Sequence, residues 1–571
     1  MSWKELDQPQ WVPYLDLSGG LNTRKDPHAL DRNQLAVSVN TWLGTGNAIS
    51  KRPGNIPYPQ VGGTNPNFLG MARCFYSQQT VVIGYTTGGV LYYARPTDSQ
   101  FTSIGAATSG GTSLNAAQMY DPTTGLNQTF LVDGVETPRT WQGPGTSLGT
   151  VVTTGTNCPY NHSNAAPITP KFVTTAGFYL VYAGEPTEPT AVYISNPYYP
   201  QVFNNSATTT SGILPNPYIP YLVGFNDGVN GGDITGILVL ANGTATGAIM
   251  VYKQAAVYQM NQVGFFGEMY WGATLVSAST GCLSPQSIVG FDTFHCFLGV
   301  DGVYQTDGLS VRRISDNVPT LFDSTLVGTS AAILNRTSAV AVRHGQRYII
   351  FFDDGNGTTS PAGHPTLGAV FDFSRPDADG YPGVTLIRGM SPTCIVPMRG
   401  PADDGNFVWC NYTGGNNIFR FGVGSSDNGA DISVSFFGKA DFMVDPFGPD
   451  APVCNKAVTA AYLLVSTPST GGNETLTFTA YATMDFGFSS ETTGAAISIM
   501  GGAIYGTSAG AAIYGQSVYT SGSNPNFALL KFQNQVASQG HVCQFGFSES
   551  SSYAWTILGY DLYVAKHKAS R

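Results

Sequence analysis

Short apolar runs recur along the chain, each bounded by turn residues and followed by a second run that alternates apolar with polar positions. They centre near residues 81, 130, 180, 249, 296, 350 and 408. In order they read Val81-Val82-Ile83-Gly84-Tyr85, Phe130-Leu131-Val132, Phe178-Tyr179-Leu180-Val181-Tyr182, Ile249-Met250-Val251-Tyr252, Phe294-His295-Cys296-Phe297-Leu298, Tyr348-Ile349-Ile350-Phe351-Phe352 and Phe407-Val408-Trp409-Cys410. Runs of this length between Gly, Asp and Asn predict strands, and each is taken as the first strand of a hairpin. The clearest unit spans residues 281–316, where Asp301-Gly302 and Asp307-Gly308 punctuate a three-stranded meander.

Three short strands cannot bury both faces of their own sheet, so such units must stack on one another. A repeat of about 50 residues with several strands per repeat is the spacing of a β-propeller blade. Residues 61–430 are therefore expected to form a β-propeller of about six to eight blades. The one long interval holds a polar insertion, 204–232, read as a surface loop. Residues 1–60 are expected to be an N-terminal arm with a closing strand, including a brief helical stretch with Asp31 as N-cap and Leu35, Val37 and Val39 along it. From about residue 431 longer alternating strands appear, among them Val434-Ser435-Phe436-Phe437 and Trp555 to Tyr563. Residues 431–571 are expected to be a separate β-sandwich-like region. The fold class is thus all-β.

Composition sharpens this picture. Charged residues make up 11% of the 571, against about 25% in ordinary soluble domains, and 69 Gly and 30 Tyr point to turn-rich β structure. The formal charge of −10 argues against a nucleic-acid clamp, which needs a dense basic face. The start, Met1-Ser2-Trp3-Lys4-Glu5-Leu6, lacks the pattern of a signal peptide, and no apolar run approaches a membrane span. Synthesis in the cytoplasm is the expectation.

Candidate chemistry is sparse. The eight cysteines form no CxxC pair, and the histidines at 28, 162, 295, 344, 364, 541 and 567 never fall at metal-ligand spacing. Gly506-Thr507-Ser508-Ala509-Gly510 matches a hydrolase elbow, with Asp561 and His567 following in hydrolase order. It lies in a Gly/Ala-rich duplication without the helix that elbow requires. The pairs Asp353-Asp354 and Asp403-Asp404 read as solvated loops, because neighbouring strand residues point to opposite faces. The stretches 226–233 and 353–357 have calcium-like oxygen content but fit no known ligand spacing. His295, inside an apolar strand, reads as a satisfied core residue. Arg312-Arg313 sits in a strand, with one side chain expected to face a neighbouring subunit or acidic partner. No catalytic residue, cofactor or metal ligand is assigned.

One resemblance bears on function. Leu17-x-Gly19-Gly20-Leu21-Asn22-Thr23-Arg24, then Asp26-Pro27, Gln34-Leu35, Asn40 and Lys51-Arg52-Pro53-Gly54, resembles the N-terminus of tail nozzle or tail hub proteins of short-tailed bacteriophages. Ala191 to Pro197, with Pro200 and Phe203, is similar to a second segment of that family. Residues 281–316, with Asp301-Gly302-Val303-Tyr304 and Arg313-Ile314-Ser315-Asp316, are similar to a third. The resemblance implies a structural virion protein, not an enzyme. It implies a ring of identical subunits, six in number, at the end of a short tail, serving as the channel for DNA ejection. Its partners would be adaptor and portal-side proteins and tail fibres or spikes, with viral DNA passing without specific binding. The rival readings are a tail-associated polysaccharide depolymerase or glycosidase, with two carboxylates flanking a cleft, and a receptor-binding tail adhesin with exposed aromatic residues on sugars.

Overall fold

The computed structural model describes residues 9–567 except 45, 59–67, 87, 107–112, 152–165, 204–220, 224–230, 242–246, 266–267, 323–335, 355–363, 378, 399–405, 412–417, 450, 468–474, 485–495, 501–525 and 534–538. The described chain is all-β apart from short helical turns. Its middle forms seven four-stranded antiparallel blades. Blade 1 comprises Phe68–Tyr76, Gln79–Thr86, Val90–Ala94 and Thr102–Ala106, and blade 2 comprises Asn115–Asp121, Leu126–Val132, Arg139–Trp141 and Gly149–Thr150. Blade 3 is Phe172–Ala176, Tyr179–Glu185, Glu188–Ile194 and Tyr221–Leu222; blade 4 is Ile234–Leu240, Ala248–Lys253, Val257–Phe265 and Glu268–Ser277. Blade 5 is Val289–Gly290, His295–Leu298, Val303–Thr306 and Val311–Arg313; blade 6 is Val340–His344, Arg347–Phe352, Leu367–Pro376 and Pro382–Ile387. Blade 7 takes Pro392–Pro397, Phe407–Asn411 and Ile418–Phe421 from one end of the propeller and Asn55–Pro57 from the other.

The first strands of successive blades touch in order round the ring, and that of blade 7 touches that of blade 1. The ring is therefore closed, as a seven-bladed β-propeller. Closure is made by sequence-distant pairing: Phe419↔Pro57, Arg420↔Ile56 and Phe421↔Asn55 are antiparallel partners. Without Asn55–Pro57 the last blade would end on a bare edge. Gly54 is dictated by this approach, since a Cβ there would meet the Ser426 carbonyl oxygen at 2.1 Å.

The apolar runs are the second strand of each blade, not the first. Tyr179–Glu185, Ala248–Lys253 and His295–Leu298 are buried almost throughout, because both faces lie against neighbouring blades. The first strands border the axis and carry polar positions, so they lack the continuous apolar signal. The 281–316 unit accordingly has a fourth strand, Val289–Gly290, ahead of the meander. Within the 204–232 insertion, Tyr221–Leu222 is the outer strand of blade 3.

The remaining residues form a two-sheet sandwich, but not a separate one. One sheet runs Asn526–Gln533, Asn455–Thr467, Thr556–His567, Ile49–Lys51, Thr41–Leu43, with Gln10–Tyr14 also paired to Thr556–His567. The other places Ile432–Asp441, Cys543–Ser551, Thr475–Met484 and Ala496–Met500 in one sheet with blade 6, joined through Val37–Val39. Val39 pairs with Ser435 on one side and Leu386 on the other, so propeller and sandwich share a continuous sheet. The expected helix is absent: Gln34–Leu35 and Val37–Val39 are strands. Val37-Ser38-Val39 is β-branched at two of three positions and finds partners on both edges, which outweighs the Asp31 cap signal. The sandwich core joins Val12, Tyr14, Leu43 and Ile49 of the arm to Phe436, Leu463, Phe478, Phe547, Trp555 and Leu562.

Two buried cations pin the arm. Lys51 Nζ donates to Glu549 Oε2 at 3.3 Å and to the Ser551 carbonyl, and both ionic side chains are fully enclosed. Burial pushes the Lys51 ammonium down, against the pull of Glu549. Arg52 donates to Asn40 Oδ1 at 3.0 Å, to both oxygens of Asp427, and to the carbonyls of Pro53 and Arg388. Arg52→Ala would strand a carboxylate and an amide in the joint. We expect the full-length chain to lose about 3 kcal/mol in urea unfolding, with Arg52→Lys recovering only part because an ammonium cannot grip Asp427 by two parallel bonds.

Candidate functional site

The inner strands enclose an axial cavity of about 910 Å³. Its wall includes Met71 and Arg73 of blade 1, Asn115 of blade 2, Leu238 of blade 4, Arg343 of blade 6 and Ile395 of blade 7. Lys171, just before the inner strand of blade 3, and Asp292, just after that of blade 5, add charge at its rim. Three cations and one carboxylate therefore line the axis of a chain whose net charge is −10. Arg343 is fixed by a two-point contact with Asp292 (3.0 and 3.4 Å) and by the Gly345 carbonyl, with its guanidinium 5.0 Å above the Phe291 ring. Arg73 donates to the Pro397 carbonyl at 3.4 Å. A cavity of this volume falls within the ~300–1,000 Å³ range of small-molecule sites. The cavity suits water and small, preferably anionic, solutes.

The residues singled out in the sequence do not converge on this cavity. His295 is wholly buried between blades 4 and 5, where its Nδ1 pairs with the Tyr252 hydroxyl at 2.8 Å and its Nε2 with the Val239 carbonyl at 3.3 Å. A carbonyl accepts only, so Nε2 carries the proton and the ring is neutral; burial holds its pKa down at about 4. Asp353 and Asp354 are buried, not solvated. Asp354 accepts from Thr366 Oγ1 at 2.6 Å and pairs with Arg388 at 3.1 Å, so the pair braces the chain between blades 6 and 7. Arg312 and Arg313 are engaged within the subunit. Arg313 pairs with Asp301 and Asp316, while Arg312 lies 4.8 Å over the Tyr381 ring and donates to the Asp379 carbonyl. Asp403-Asp404, the Gly506–Gly510 elbow and most of the calcium-like stretches fall outside the described residues. Among the described residues no three His, Cys, Asp or Glu converge.

Sequence reading missed one pair. Cys394 and Cys410 are direct cross-strand partners in blade 7, both reduced and buried. A hydrogen bond from Cys394 holds the Cys410 thiol below its ordinary value, whereas burial pushes Cys282 up to about 12. Only the hairpin register brings the two together, and no spacing motif announces it.

No protein-family model matches this sequence, and no curated protein matches it. Solved structures with a similar backbone course include BBS1N in complex with ARL6DN, soaked with lead, at a TM-score of 0.38 and 11% identity over 65% of this chain and 96% of that one. Another is the Cps50 (Swd1) β-propeller domain of Myceliophteria thermophila, at 0.37 and 7% over 66% and 99%. The seven blades and their closure define the propeller here.

The buried neutral imidazole sets a pH dependence. Its folded pKa lies below the ordinary 6.5, so the unfolded chain takes up the proton first as pH falls. Stability from this site is complete above about 6.5 and is lost progressively down to about 4. We expect His295→Gln to flatten the pH dependence of the unfolding midpoint within that window, by up to about 3 kcal/mol, and to leave it unchanged above pH 7.

Proposed function

We propose that this protein is a structural component of a phage virion, a nozzle-like tail hub of a short tail, and not an enzyme. The observation that carries the reading is where the family-like residues fall. Gly20, Leu21, Gln34, Leu35, Asn40, Lys51, Arg52 and Gly54 lie in the strands and turns that bind propeller to sandwich. An N-terminal pattern concentrated in a mechanical joint suits a load-bearing part.

In this reading DNA passes along the axis of the subunit ring and not through the small axial cavity of any one propeller. The conduit wall is formed by a ring of identical chains. Weakly acidic overall charge lets phosphate slide past it without being held. The sandwich offers an edge for such a ring. Gln10–Tyr14 pairs on one side only among the described residues, and Trp11 and Leu15 beside it are 48% and 62% exposed. An unpaired edge with large apolar side chains is a surface that native proteins cover.

Purified full-length chain should sediment as a ring near six times the 60.4 kDa subunit, and gold-labelled protein should sit on the tail axis in negative-stain images of particles. The Trp11→Lys, Leu15→Asp double variant should sediment as single chains while keeping its wild-type melting temperature. A peripheral, trimeric location in the particle would favour an adhesin or depolymerase and overturn the nozzle reading.

A further inference from the structure

A pair of cysteines stands at the seam where the propeller closes. Cys394 in the first strand of blade 7 and Cys410 in the second are direct ladder partners. Among the described residues no other two cysteines are: Cys74 stands opposite Val81, Cys296 opposite Val289 and Gln305, and Cys543 opposite Asp441 and Met484. Cys282 and Cys454 lie outside the strands. Both side chains of the pair enter one apolar cluster, with Tyr58, Phe68 and Met71 between blades 7 and 1, and the two thiols are hydrogen-bonded to each other. Facing Cα atoms in an antiparallel ladder lie about 4.5 or 5.5 Å apart, and a disulfide spans Cα separations of about 4.4 to 6.8 Å. Either spacing admits the bond without moving the strands.

The backbone around the pair is held from both sides. Thr393 is the extra residue of a bulge between Pro392 and Cys394, and its hydroxyl lies 3.3 Å from the Cys410 carbonyl and 3.2 Å from that of Phe68. Phe68 opens the first strand of blade 1. On its other edge Cys410 faces Ile418, in the strand that pairs with Asn55–Pro57. Access comes from the axis: Cys394 borders the axial cavity and is 2% exposed, while Cys410 is fully enclosed. A bulky disulfide reagent cannot approach sulfurs so enclosed, whereas a molecule little larger than water can.

We propose that Cys394 and Cys410 are a redox-sensitive lock, which hydrogen peroxide entering the axial cavity closes to a disulfide across the first two strands of blade 7. The thiolate of one cysteine attacks a peroxide oxygen. The O–O bond breaks, the departing hydroxide takes up the thiol proton as water, and a sulfenic acid is left. The second thiol attacks that sulfur: the S–S bond forms, the S–O bond breaks, and a second water carries away the second proton. The two sulfurs together give up two electrons, and one peroxide becomes two waters. In a reducing cytoplasm the pair stays open, and it closes when the folded protein meets an oxidising medium. The bond adds a covalent tie to the blade whose completion closes the propeller. Both cysteines belong to one chain, so the chemistry is the same whatever the assembly.

Full-length protein, purified in dithiothreitol and then freed of it, is treated with hydrogen peroxide. Remaining thiols are alkylated in denaturant, and the peptides are mapped without reduction. The expected result is a linked Cys394–Cys410 peptide as the main cross-link, with an intact mass lower by two hydrogen atoms. The oxidised protein should melt at least about 2 °C above the reduced one, and dithiothreitol should reverse all three changes. Cys394→Ser and Cys410→Ser should each abolish both the linked peptide and the rise in melting temperature. The wild-type map decides the matter even where a variant fails to fold. Recovery of both cysteines as free thiols after peroxide, a sulfinic acid in place of the link, or a link to another cysteine overturns the proposal. So does a linked protein that melts no higher than the reduced form.

Discussion

The side chain of Arg52 reaches parts of the chain that the sequence separates by hundreds of residues: Asn40 in the arm, the Arg388 carbonyl after blade 6, and Asp427 beyond blade 7. Asn40 extends the knot, donating to the Ser433 carbonyl of the sandwich at 2.7 Å while accepting from the Arg388 N–H at 2.9 Å. Three residues on, Asn55 donates to Asp427 at 2.7 Å, accepts from the Trp409 indole at 3.0 Å, and begins the strand that closes blade 7. A thin sheet of four short strands has two faces to bury and cannot do so alone. The ring must close for any blade to be fully covered, and closure depends on a strand that arrives from the far end of the chain. The Arg52 knot delivers that strand in register.

This explains what could be read from the residues and what could not. Val81, Leu131, Val181, Val251, Phe297, Ile350 and Val408 each stand in a second strand, sandwiched between neighbouring blades, so burial on both sides leaves an unbroken apolar run in the sequence. The first strands, such as Val289–Gly290 or Asn115–Asp121, face the axis on one side and have no such run. The second strands bounded the blade count at about six to eight; the count of seven and the position of these strands within the blade needed coordinates. The arm was harder. Val37–Val39 is three residues long and is a strand only because blade 6 and Ile432–Asp441 flank it. No local pattern carries that information. Tyr198 was equally silent: nothing in Asn196-Pro197-Tyr198-Tyr199 announces a left-handed tyrosine, because the Phe178 carbonyl that fixes it comes from another turn.

Charge is distributed in a way that composition hides. A net −10 suggests a uniformly acidic body, yet among the described residues the axis of the propeller carries Arg73, Lys171 and Arg343 against Asp292. Some acids serve inside the structure: Asp354, Asp372 and Glu549 are each buried and each bound to a cation. Others, among them Asp26, Asp31, Asp307, Asp379 and Asp431, stand exposed at the surface.

The Lys51–Glu549 pair shows what these ties achieve. Taking both charges out of water costs several kcal/mol per ion before their attraction is counted. A pair of well-packed apolar side chains would therefore hold the arm to the sandwich about as firmly, and stability alone does not account for it. An apolar pair, however, would tolerate a slip of the short strand Ile49–Lys51 along Thr556 and Ile557, which are its only ladder partners in the long strand. Such a slip of two residues keeps the same face inward. The ionic pair forbids it, because any other register leaves Glu549 and the Trp555 indole, bonded at 2.6 Å, enclosed without the ammonium. Since Arg52 follows at once, fixing Lys51 also fixes Arg52 against Asn40 and Asp427, and through them the closing strand. A buried charge that adds little to net stability thus decides whether the seventh blade is completed in the correct register.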